Sequence, residues 1–185
     1  MAMELIENNR EGAEIFSGSD LCKKKCAELL EELHLPRGLL PLPDLLEVGR
    51  NKATGFVWLR QPKATINHFK KIGKTVSYAT EVTAFVEDRR MTRMTGVKSK
   101  ELLIWFSISD MLVADPEGKK IAFKTASGLG RAFPFSAFEE EGGRSEKLWI
   151  PIQVQAPTMG MEEGPPSMDS DFKSLFNVDG SLGLQ

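Results

Sequence analysis

Apolar and polar side chains alternate between residues 76 and 86. Val76, Tyr78, Thr80, Val82, Ala84 and Val86 fall on one face, with Ser77, Glu81, Thr83 and Glu87 between them. A period of two sets one face against a core and the other in water, so this stretch predicts a β-strand. Residues 101–115 place Leu102, Ile104, Phe106, Ile108 and Leu112 on one side, and Leu103, Trp105, Met111 and Val113 on the other. Large apolar groups on both sides predict a central strand, covered on both faces. It ends at Asp115-Pro116-Glu117-Gly118, where Pro presets a turn dihedral and Gly can take the left-handed position of a bulged hairpin. Ile121 and Phe123 alternate with lysines on the return, so residues 74–124 read as an antiparallel meander. Residues 90–97 read as a further short strand between the two long ones.

Upstream the period changes from two to that of a helix. Ser17-Gly18-Ser19-Asp20 offers short polar caps, and Leu21, Cys22, Cys26, Leu29, Leu30 and Leu33 form one stripe over residues 20–34. Pro36 stops that helix. One amphipathic helix beside a large sheet is most simply a lid on it. Residues 1–16 carry Met3, Leu5 and Ile6 but also Asn8, Asn9 and Gly12, and read as a weakly ordered lead-in. The connector 35–43 holds four leucines stiffened by three prolines, and exposure of those leucines would be costly, so it is expected to pack across the core. Further strands are predicted at 45–48, 55–59 and 65–69, and an edge strand or capping loop at 131–138. From Pro157 the chain turns to Gly, Pro, Met, Ser and acid, which reads as a disordered acidic tail over 157–185. Phe172, Leu175 and Phe176 within it stand at helical spacing and suit a docking segment. The expected architecture is a single barrel-like antiparallel sheet of about eight strands over residues 17–156, with the helix packed on it.

Composition adds a location and excludes several chemistries. The 185 residues, 41% of them hydrophobic, suffice for one domain with a substantial core. No apolar run is long enough to span a bilayer and no secretory leader is visible, so a cytoplasmic protein is expected. Cys22 and Cys26 lie one helical turn apart, where a disulfide has poor geometry, so free thiols are expected. They have no second pair, and neither a metal site nor a cofactor is expected. Hydrolysis by a Ser or Cys nucleophile needs a base, and the only histidines are His34 and His68. No Gly-x-Ser-x-Gly elbow accompanies them, and Ser109 or Ser136 would be arbitrary nucleophiles. The Walker phosphate loop is also absent.

The net charge of −2 conceals an asymmetry, because residues 60–100 hold ten Lys or Arg against three acids while residues 139–185 hold nine acids against three bases. Arg89, Arg90, Arg93, Lys98 and Lys100 are expected to cluster at one end of the meander. With Met91 and Met94 among them, they suit an anionic membrane surface. No aromatic-and-basic module of a nucleic-acid binder appears, and no nucleic-acid contact is expected.

The Leu-rich helix, the Gly38-Leu39-Leu40-Pro41 turn after it, the β-rich middle and the closing Phe133-Pro134-Phe135-Ser136-Ala137-Phe138 resemble the plant domain-of-unknown-function family 538 over residues 17–140. The resemblance implies a compact barrel-like β fold with an N-terminal helix. It also implies kinship to the bactericidal/permeability-increasing lipid-binding proteins, and an esterase-like or chlorophyll-degrading role. It brings no catalytic residues. A monomeric, non-enzymatic binder of an apolar or amphipathic small molecule is therefore the leading expectation, with Leu39, Leu40, Tyr78, Trp105, Phe106 and Phe123 as the cavity or its mouth. Two alternatives are an esterase-like hydrolase of lipid or pigment esters, and an adaptor working through the basic loops and the acidic tail.

Overall fold

The alternation at 76–86 does form a strand, and that strand is the spine of the molecule. The structure, a computed structural model, describes residues 2–139 apart from Pro116. In chain order it contains α1 (Ala2–Asn8), β1 (Glu14–Ser17), α2 (Ser19–Glu32), β2 (Glu47–Asn51), β3 (Phe56–Arg60), β4 (Thr65–Phe69), β5 (Lys74–Glu87), β6 (Arg90–Glu101), β7 (Ile104–Val113), β8 (Lys120–Thr125) and β9 (Gly130–Pro134). Short 3-10 turns occupy Arg37–Leu39, Lys70–Ile72 and Phe135–Phe138. The nine strands make one antiparallel sheet in the order β1-β2-β3-β5-β6-β7-β8-β9, with β4 also paired to β5. The sheet is open: among the described residues β1 and β9 do not pair, so the expected barrel does not close. The helical docking segment and the acidic tail expected at 157–185 lie outside the described residues, as does 140–156.

β5 is long enough to serve two partners on one edge, and a corner lets it do so. Its first half pairs with β4 and its second with β3. Between these halves residues 79–82 stand opposite Gly96 alone, since Tyr78 pairs with Val97 and Thr83 with Thr95. Gly96 sits at φ 81, and a Cβ there would lie 2.1 Å from the Glu81 carbonyl oxygen, so only glycine allows this close approach. The carbonyls freed at the corner find a buried partner: Gln61 donates its side-chain amide to Tyr78 and Ala79 and its backbone N–H to Thr80. Further register shifts in β6–β7 and β7–β8 bend the sheet again.

Most of the core lies on one face of this sheet. α2 buries Cys22, Cys26, Leu29 and Leu30 there, while Leu21, expected in the stripe, is exposed. The connector packs as expected, with Leu35, Leu39, Leu40 and Leu42 all buried. Met91 and Met94 are buried in the same core, which removes them from any membrane contact. The other face carries a smaller cluster, where Ile6 of α1 covers Phe56 and Trp58 of β3. Residues 2–17 carry this cover in place of the expected weakly ordered lead-in. They form a helix and a strand, held because β3 is apolar on both faces and needs a cover on each. Arg10 and Trp58 Nε1 both donate to the Glu47 carboxylate, which ties this cover to β2.

Candidate functional site

β5 to β9 turn one face toward a cavity of about 270 Å³. Alternation decides which side chains reach it: Val76 and Tyr78 from β5, Val97 and Ser99 from β6, Phe106 and Ile108 from β7, Phe123 and Thr125 from β8. Leu39 and Leu40 of the connector and Phe138 of the last 3-10 turn close it from other sides. Tyr78 locks the connector in place, its buried hydroxyl donating to the Leu39 carbonyl at 3.0 Å. Burial pushes the Tyr78 phenol well above its ordinary range, so it stays a protonated donor. The aromatic part of the wall is a chain of ring contacts, Phe69 to Phe138 at 5.0 Å, Phe138 to Phe123 at 5.2 Å and Phe123 to Phe133 at 6.0 Å.

One part of the lining is charged. Lys74 Nζ lies 2.6 Å from the Glu101 carboxylate, and Arg131 approaches the same carboxylate at 3.8 Å. Two cations share one acid, so this rim carries a net positive charge next to an apolar interior.

Of the six side chains expected at a ligand, Leu39, Leu40, Tyr78, Phe106 and Phe123 line this one cavity. Trp105 does not. Neighbours along a strand point to opposite faces, so Phe106 inside sends Trp105 outside, where Lys100 Nζ stands 5.8 Å from its ring. The stretch 101–115 is also not one strand: Glu101 pairs with Ile104 around a turn at Leu102-Leu103, with no Gly, Pro or Asn to mark it. Ile108 follows from the alternation of Phe106 and was legible. Lys74, Glu101 and Arg131 were not, because their meeting depends on the register of three strands.

The five basic residues expected to cluster are separated. The β5–β6 turn is only two residues, 88–89, so β6 carries the chain away from Arg89 and Arg90 at once. Arg90 stands across from Glu87 at that end, and Arg93 lies over the Phe85 ring. Lys98 and Lys100 lie at the far end of β6, across from Ser77 and Thr75. The Arg89 N–H is spent on the Leu33 carbonyl, holding the end of α2 against this turn.

Neither histidine lines the cavity. His34 is exposed and pairs with Asp88 at 2.6 Å, and His68 pairs with the Thr75 hydroxyl. Ser109 donates to Asp110, and neither histidine is among its partners. Cys22 and Cys26 are free and buried, and the Cys22 thiol donates to the Phe16 carbonyl. Among the described residues no group of three metal-ligating side chains gathers, and no helix is long and apolar enough to cross a membrane.

No curated protein and no solved structure matches this chain significantly. Residues 26–139, more than half of the chain, match the family described as Protein of unknown function, DUF538. Every residue lining the cavity falls inside that match, and the chain is therefore a member of the DUF538 family.

Proposed function

We propose that the protein is a non-enzymatic binder of an apolar or amphipathic, lipid-like small molecule held in the β5–β9 cavity. The observation that supports this is the joining, in one enclosure, of an aromatic and aliphatic body to a small cationic rim. The cavity measures about 270 Å³. That suits a short acyl chain, at the small end of ligand pockets. An anionic head would sit at Lys74 and Arg131, which together exceed the charge of Glu101. The kinship to lipid-binding proteins that the family resemblance implies, and a monomeric, cytoplasmic setting, belong to the same reading.

Native mass spectrometry of protein gently purified from its source, followed by organic extraction, tests it. A stoichiometric apolar adduct is expected, and Ile108→Trp, which fills the cavity, should lose it while keeping the fold. A bare mass, together with a melting temperature unmoved by medium-chain fatty acids, would refute the reading.

A further inference from the structure

The β6–β7 hairpin turns through Leu102 and Leu103 alone. Turns this tight favour Gly or Asn, because the chain must enter the left-handed region there. Leu102 takes that conformation, at φ 54. The residue is 94% exposed, followed by Leu103 at 87%, Ile104 at 61% and Trp105 at 38%. A leucine in this conformation is strained, and at this exposure no packing offsets the strain. Folding of the chain alone therefore does not account for leucines at this turn. Pairing of β7 with β8 begins only at Ile108, so residues 104–107 run past the end of β8. β6 stays paired to β5 as far as Lys100, so it is the two-residue tip and the free edge of β7 that present these consecutive large apolar groups, and such a patch marks a contact with something apolar.

The charges around this patch say which apolar phase fits. Lys98 and Lys100 lie on β6 just below the tip, and Lys74 and Arg131 stand beside Glu101, the residue that precedes it. An apolar point inside a cationic collar complements a bilayer with anionic headgroups. The leucines enter the acyl boundary, a Trp ring suits the interface, and lysines meet phosphates and carboxylates. We infer that the β6–β7 hairpin docks this protein on an anionic lipid bilayer through Leu102, Leu103 and Trp105, with Lys98 and Lys100 on the headgroups. Glu101 belongs both to the base of this hairpin and to the cavity lining, so docking sets the charged rim of the cavity beside the lipid surface. The docking itself does not require the cavity to be occupied.

The test is co-sedimentation of the full chain with vesicles of mixed phosphatidylcholine and phosphatidylserine, against phosphatidylcholine alone. Wild type is expected to bind the mixed vesicles, with a blue shift of tryptophan emission that W105F removes. The double variant L102G/L103N gives the turn residues its geometry favours. It should melt no lower than wild type while binding at least about tenfold more weakly, and K98Q/K100Q should weaken binding most at low salt. Wild type that ignores mixed vesicles, or L102G/L103N that binds them as well as wild type, would overturn the inference. A melting temperature lowered in L102G/L103N would show the leucines to be structural, and a wild-type dimer dissolved by that variant would show that a second copy covers the tip. Either result would also overturn it.

Discussion

Cys26 is a thiol that its surroundings keep from ionising: burial in the α2 core pushes it up to about 12. In an unfolded chain the same thiol ionises from about pH 8.5. Above that pH the unfolded state binds fewer protons than the folded one, so the stability present at neutral pH is lost as pH rises toward 12. The gap from about 8.5 to about 12 corresponds to about 5 kcal/mol at the upper limit. Cys22 and Tyr78 shift in the same direction, each mainly through burial. Urea midpoints measured across this alkaline range should therefore fall steeply for wild type and less steeply for Cys26→Ala. Equal slopes would show that the thiol is not excluded from water. Glu47 balances the opposite way. Burial alone would push its carboxyl up, but the hydrogen bonds from Trp58 and Arg10 outweigh burial and hold it below the usual carboxylate range. As a carboxylate it joins the loop after α1, through Arg10, to β2 and β3.

At the level of elements, the strands and the connector were largely legible, because each rests on a local period or on leucines too numerous to leave wet. The hairpin at Leu102-Leu103 was not, since it breaks the turn chemistry that would announce it. Reading through it made one long strand of 101–115, whereas the misplacing of Trp105 has another source: it alternates with Phe106, so the two cannot line the same cavity. The expected clustering of Arg89 with Lys100 failed for a related reason: charge counted along the chain ignores that an extended strand moves its charges apart. α1 was missed because its reason for folding lies elsewhere in the chain. The signal was Phe56-Val57-Trp58-Leu59, a run apolar on both faces that requires a cover on the side away from the main core. Ile6 supplies much of that cover. Ile6→Ala should cost about 2–4 kcal/mol in urea unfolding and shift the emission of Trp58 to the red. A cost within about 0.5 kcal/mol would mean that α1 is not seated on β3.

For the molecule as a whole, the sheet that is open among the described residues has edges to protect. β1 is short and begins with Glu14, and β9 ends at Pro134, which cannot donate to a further strand. The pairings also differ in how far apart along the chain their partners lie. From β5 to β9 every strand pairs with the next in sequence, through turns as short as residues 88–89 and 102–103. β1 reaches β2 only after α2 and the connector have intervened, and β3 reaches β5 only across β4. Closing a short loop costs less chain entropy than closing a long one, so the meander is expected to assemble before the N-terminal strands. In stopped-flow kinetics, Ile6→Ala should then speed unfolding with little effect on refolding, while Ile121→Val should slow refolding. The reverse pattern would place the nucleus at the N-terminus. If the order holds, the β-strand walls of the cavity are standing before the chain has docked its first helix, and the side that Leu39 and Leu40 cover closes last.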